Sequence, residues 1–252
     1  MQEPVQGNLS EAILVEHVSK KFRIPLERKI TLYEHMVGII KRGSYSYEEF
    51  LALDDVSFRV RNGEIFGIIG PNGSGKSTLL KIIAGVLHSD RGCVHVQGKI
   101  APFLELGVGF KPDLSAKQNV FLYGAIMGLK KREIRDRYEE IMKFAELKQF
   151  ENMRLKNFSS GMAVRLAFST AIQTNPDILL VDEVFSVGDV SFQEKCYDKI
   201  IEIKRSKKTI LYVSHSLEQV RKLCDRCLLL EKGKVIQIGK TEDVVDLYLK
   251  HS

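Results

Sequence analysis

The consecutive residues Gly70-Pro71-Asn72-Gly73-Ser74-Gly75-Lys76-Ser77-Thr78 combine the side-chain types that holding a phosphate chain requires. Glycines let a backbone wrap closely around phosphate oxygens with its N–H groups pointing inward. Lys76 adds a point charge for the β- and γ-phosphates, Ser77 adds a hydroxyl for Mg²⁺, and a helix starting here offers its positive end. All nine positions fit a phosphate-binding P-loop, so each is expected to lie against a bound nucleotide. A Gly-rich strand-to-helix turn needs no ligand in itself. The nucleotide is favoured by the flanks: the apolar strand Ile65-Phe66-Gly67-Ile68-Ile69 leads in, and the helical run Leu79-Leu80-Lys81-Ile82-Ile83 leads out.

A second group of chemistry-bearing residues follows well downstream. Ile178-Leu179-Leu180-Val181-Asp182-Glu183 reads as a buried parallel strand ending in two carboxylates, where an α/β sheet presents its ligand groups. Asp182 is expected to hold Mg²⁺, directly or through water, and Glu183 to polarise the attacking water. Thr209 to Ser214 forms another apolar strand that delivers His215 toward the same edge. Taken alone, either strand is weak evidence; after a complete P-loop they form a constellation. Phe158-Ser159-Ser160-Gly161-Met162 opens a predicted helix, and its hydroxyls, small residues and helix N-terminus make an anion site that a phosphate can approach closely. A plain helix cap would explain Ser159 but not the whole arrangement.

The elements that must position these groups alternate. Ala12 to Val18, Asp55 to Val60, Ile65 to Ile69 and Gly92 to Gln97 read as strands, and Ala101 to Pro112 as a loop rich in Gly and Pro. From Ser115 to Gln173 no clear strand occurs, and Lys131 to Leu147 and Ser160 to Ile172 read as helices. Strand and helix alternate again from Ile178 to Lys250, which argues for a mainly parallel sheet with helices on its faces and an inserted helical section. Residues 23 to about 50 interrupt the first strand pair. There Leu32, Tyr33, Met36, Val37 and Ile40 share one helical face, an amphipathic insertion expected to meet a partner or a membrane surface unless it packs on its own domain.

The 252 residues allow one large domain, and 44% hydrophobic with 28% charged residues is ordinary for a globular chain. A net charge of +6 permits attraction to acidic membranes or nucleic acid without demanding either. No stretch is long and apolar enough to span a bilayer, and the N-terminus has no signal-peptide pattern. Four cysteines, Cys93, Cys196, Cys224 and Cys227, are too scattered for a disulfide framework. Cys224 and Cys227 have half a zinc-site spacing with no second half, and a structural role is expected for them.

Together these motifs resemble the nucleotide-binding subunit of ATP-binding cassette (ABC) transporters, from about Ile13 to Leu249. The resemblance implies the P-loop ABC ATPase fold: an α/β core over 11–104 and 174–252, an antiparallel β subdomain, and a helical subdomain over 105–173. It implies ATP and Mg²⁺ as ligands and Ser159, Ser160 and Gly161 as the signature that grips the γ-phosphate held by the P-loop of a second copy. His215 matches the family's switch histidine, Asp189 falls in the loop that contacts the partner domain, and Phe22 falls where an aromatic ring stacks on adenine. Tyr47 is an alternative for that ring. The family's Q-loop glutamine is missing, and Glu105 is the nearest polar candidate for its metal contact. The post-Phe22 insertion, Glu105 to Phe110, the Ser-Ser-Gly-Met signature and Val187-Gly188-Asp189 resemble the branch of bacterial polysaccharide exporters. That branch implies a homodimer on the cytoplasmic face of the inner membrane, membrane-spanning permease partners, a lipid-linked polysaccharide substrate and no nucleic acid. Two alternatives stay open: a soluble ABC ATPase acting on nucleic acid or the ribosome, and an ATP-gated interaction module with little turnover.

Overall fold

The computed structural model describes residues 11–25, 47–103, 107–182 and 189–251. Glu11–Pro25 (β1) and Tyr47–Arg61 (β2) pair antiparallel. Arg91–Val96 (β4) pairs with the other edge of β1, giving a three-stranded sheet in the order β2-β1-β4. Along β2 the buried Val56, Phe58 and Val60 alternate with the exposed Ser57, Arg59 and Arg61, the two-residue period of a sheet with one face inward. Phe58 stacks on Phe66 of the second sheet, with ring centroids 5.4 Å apart.

That second sheet holds Ile65–Ile69 (β3), Ile100–Phe103 (β5), Ile178–Asp182 (β6), Thr209–Val213 (β7), Arg226–Glu231 (β8) and Lys234–Lys240 (β9) in the order β5-β6-β7-β3-β8-β9. All neighbours pair parallel except β9, which returns antiparallel on β8. β3 and β7 are buried at every residue, as strands covered on both faces must be. Phe66, Ile68, Leu180, Leu211 and Val213 pack toward the antiparallel sheet and the helix Lys76–Ile83 (α1). Alternate residues such as Leu179, Val181 and Tyr212 form the other core.

Ala116–Ile126 (α2), Lys131–Ala145 (α3) and Ser160–Ile172 (α4) bring Val120, Ile134, Ile141, Met142 and Leu166 into a separate apolar cluster. Ser115 opens α2 with a reciprocal capping box to Gln118. Val190–Arg205 (α5), Leu217–Leu223 (α6) and Thr241–His251 (α7) complete the α-helices among the described residues. Phe168 and Ala171 from the far end of α4 reach the core beneath the parallel sheet, where they meet Phe192 of α5.

Two sequence expectations are corrected. The stretch from Ala101 begins not as loop but as β5, whose residues Ile100 to Phe103 pair with Ile178 to Val181. Pro102 donates no hydrogen bond, and the edge position of β5 tolerates that loss. Residues 23–25 and 47–50 are not part of an insertion but extend β1 and β2, with Arg23 opposite Glu49 and Ile24 opposite Glu48. Lys21 and Glu49 reinforce this pairing with an ion pair of 3.1 Å. The amphipathic face from Leu32 to Ile40 lies outside the described residues. Cys196, Cys224 and Cys227 are buried. Burial pushes the Cys196 and Cys227 thiols up to about 12 and that of Cys224 well above its ordinary value, so they act as small apolar groups.

Candidate nucleotide site

The strand order β6-β7-β3 sets three chain ends side by side. Asp182 pairs with Val213 and Val213 with Ile68, so Asp182, the segment after β7 and the loop after β3 emerge at one sheet edge. This is where an open parallel sheet offers its ligand groups. Local backbone geometry then shapes the loop. At Gly70 φ is +147°, and an added Cβ would lie 1.9 Å from the Leu230 carbonyl; at Gly75 φ is +106°, with a Cβ 2.5 Å from the Ala52 carbonyl. Only glycine fits either position, because the loop runs directly against β8 and β2.

Lys76 is 6% exposed and folds back into its own loop, donating to the Gly70 carbonyl at 2.8 Å and the Pro71 carbonyl at 2.9 Å. Ser74 Oγ is buried with no hydrogen-bond partner among the described residues. An unmade bond at a buried hydroxyl costs about 1–3 kcal/mol, and a phosphate oxygen in the loop would remove that cost. Ser77 Oγ donates to Asp182 Oδ2 at 3.4 Å, which places two oxygen donors together beside the loop. Such hard donors are the type that Mg²⁺ takes.

A cavity of about 220 Å³ lies over the loop, lined by Asn72 to Thr78, Ala52, His215 and Phe50. Phe22 is not in that lining. It sits directly opposite Phe50 across the β1–β2 pair, with Lys20 Nζ 5.7 Å from its ring centroid. Sequence reasoning missed Phe50 because it assigned residue 50 to the insertion. Continuing the strand pairing outward would have set Phe50 beside Phe22. We expect Phe50→Ala to weaken ATP binding about 10-fold through lost base stacking, and Phe22→Ala to weaken it less. Titration with a fluorescent ATP analogue checks the order, and a larger loss in the Phe22 variant would assign the stacking role to Phe22.

The signature residues stand elsewhere on the chain. Ser159 caps α4, its Oγ accepting from the Met162 N–H at 3.2 Å, and Ser159 and Ser160 are exposed. A Cβ added to Gly161 would meet only Ser159 Oγ, at 3.9 Å, so this helix start is open to an approaching group. None of the three lines the P-loop cavity. Asp189 caps α5 by accepting from the Phe192 N–H at 2.9 Å and pairs with Arg165 of α4. Arg165 also reaches Glu146 at 3.1 Å and lies 5.0 Å over the Phe192 ring. The Lys195 ammonium beside Glu146 holds its carboxyl below the usual range. This network ties the signature helix to the core, and nothing in the local sequence around Arg165 announces it. Glu183 and Glu105 lie outside the described residues. A larger hollow of about 400 Å³ between α3 and α5 is lined by Glu140, Lys143, Phe144, Lys195, Asp198, Lys199 and Glu202 and has no phosphate-binding element.

Comparison with known proteins matches residues 53–186 to the ABC transporter family. The chain is 43% identical over 200 residues to the O-antigen export system ATP-binding protein RfbB of Klebsiella pneumoniae, covering 79% of this chain and 81% of that one. It is 40% identical to the teichoic acids export ATP-binding protein TagH of Listeria monocytogenes, covering 92% of this chain and 68% of the relative. Among solved structures it resembles an ATP-binding cassette captured as a dimer in a post-hydrolysis state with ADP and Pi. That pair has a TM-score of 0.71 and 25% identity, covering 91% of this chain and 98% of the other. An ATP-binding subunit of an ABC transporter superposes with a TM-score of 0.74 at 22% identity, covering 94% and 93% of the two chains. The fold, the geometry of the glycine-rich loop and the breadth of these matches lead to one assignment: the chain belongs to the ABC transporter family, among its ATP-binding, ATP-hydrolysing subunits.

Proposed function

We propose that this subunit powers export of a lipid-linked polysaccharide, of the O-antigen, capsule or teichoic acid kind, across a bacterial inner membrane. The observation that carries the substrate class is its likeness to the O-antigen and teichoic acid export subunits over most of its length. That likeness favours export over the alternative of a soluble ATPase acting on nucleic acid or the ribosome. Among the described residues no helix is long and apolar enough to cross a membrane, so the proposal needs permease subunits that form the path.

In this reading two copies close on two ATP molecules at the cytoplasmic face. The P-loop amides and Lys76 neutralise the phosphate charge, and Ser159, Ser160 and Gly161 of the opposing copy complete the cradle. Mg²⁺ would be held by Ser77 and Asp182, with Glu105 as a further candidate, and would supply charge neutralisation to the phosphates. Glu183 orders the attacking water and His215, at the cavity wall, senses the γ-phosphate. Asp189 joins the contact between copies. Removing only the base tests the chemistry: Glu183→Gln is expected to bind ATP normally and hydrolyse it about 100-fold more slowly, accumulating as a dimer on gel filtration. Near-parental turnover would remove Glu183 from the role. For the substrate class, inactivating the gene in its own host should empty the surface of one polysaccharide and accumulate its lipid-linked form inside. Unchanged surface polysaccharide would overturn the export reading.

A further inference from the structure

Outside the nucleotide site, Glu16, Cys93 and His95 converge on the outer face of the antiparallel sheet. Cys93 and His95 are two residues apart on β4, so their side chains leave the same face, and Glu16 on β1 is directly opposite Cys93. Cys93 Sγ lies 3.4 Å from His95 Nε2 and 3.7 Å from Glu16 Oε2, and His95 Nε2 lies 3.9 Å from the same oxygen. We propose that these three side chains form a binding site for a divalent transition metal, Zn²⁺ by preference, that fastens β1 to β4.

The geometry fits that ion. Bond lengths of about 2.3 Å to sulfur and about 2.0–2.2 Å to nitrogen and oxygen at tetrahedral angles set ligand atoms about 3.3–3.7 Å apart. Two of the three observed separations fall in that range, and a small rotation of the half-buried Glu16 side chain closes the third. Charge fits as well: a thiolate and a carboxylate neutralise a divalent cation, with the imidazole neutral. Sulfur and imidazole donors select Zn²⁺ or Co²⁺ over Mg²⁺, so the site does not compete for the ion of the nucleotide site. The exposed Cys93 and His95 leave the outer side open for a fourth ligand, such as water.

The backbone holds the donors in place before any metal arrives. Gly92 has φ of +74°, and a Cβ there would sit 2.2 Å from the Glu16 carbonyl, so β4 runs tight against β1 at this point. In the metal-free chain the Cys93 thiol donates to Glu16 Oε2 at 3.7 Å. Metal binding replaces this proton: Cys93–SH and Zn²⁺ give the zinc thiolate and one proton released to solvent.

Cobalt reports the thiolate directly. The full chain, kept in excess Mg²⁺ and titrated with Co²⁺, is expected to develop a near-ultraviolet sulfur-to-cobalt band that saturates at one equivalent and is displaced by Zn²⁺. The other three cysteines are buried and cannot supply it. Cys93→Ser should lose the band and His95→Ala should lower Zn²⁺ affinity about 100-fold or more. Both residues are exposed, so the variants should keep the parental circular dichroism and ATP hydrolysis. Absence of the band in the parent, its persistence in Cys93→Ser, or unchanged Zn²⁺ affinity in both variants would overturn the site.

Discussion

Lys76→Ala is expected to lower kcat/KM for ATP hydrolysis about 1000-fold, because it removes the one side-chain charge buried inside the phosphate loop. The loop's backbone donors survive the substitution, and they alone cannot offset the charge that gathers on the γ-phosphoryl oxygens during transfer. The Lys76 ammonium donates to the Gly70 and Pro71 carbonyls. A bound phosphate offers a better-matched acceptor, so the lysine is held close to its working position before the ligand arrives. Arginine is not an equivalent replacement, since its planar fork presents its donors in a different geometry from a compact ammonium. The fold should persist, because water can reach the two carbonyls once the side chain is gone. Phosphate-release kinetics and calorimetric ATP binding check the effect, with thermal unfolding as the control. A folded variant within tenfold of parental turnover would exclude Lys76 from the chemistry.

What could be read from sequence divides along a physical line. The P-loop, β6 and β7 were legible because their signals are local: short apolar runs, each followed by a turn or carboxylate at a characteristic offset. β5 was not, because four residues containing Pro102 carry no strand signal until β6 is set beside them. Likewise, the flanks of the insertion became strand only through each other, Ile24 against Glu48 and Phe22 against Phe50, a pairing that no local window contains. Phe50 was lost from the candidate site for that reason. Asp189 shows the same limit. Sequence reading places it only in a loop expected to contact a partner domain; that it caps α5 and meets Arg165 emerges only in the fold, where α4 packs on α5. Side-chain networks between subdomains are tertiary facts, and sequence patterning is blind to them.

Gly161→Asp and Lys76→Ala, each inactive alone, are expected to regain activity when mixed. In the single chain the signature Ser159 to Gly161 lines no part of the P-loop cavity, so the proposed site is completed by a second copy. Gly161→Asp should fold normally: its Cβ meets only Ser159 Oγ at 3.9 Å, and an acidic residue in the first turn of α4 suits the positive end of that helix. Yet the same carboxylate would face the γ-phosphate held by the opposing P-loop, and like-charge repulsion there should cut hydrolysis about 1000-fold. The Lys76 variant keeps a sound signature and the Gly161 variant a sound P-loop. Random pairing makes half the dimers mixed, each with one intact composite site of two, so the mixture should recover about a quarter of parental activity. A site contained within one chain predicts no recovery at any mixing ratio. Phosphate release measured across mixing ratios, with a peak at equal amounts, therefore discriminates between a shared site and a private one without requiring the dimer to be seen.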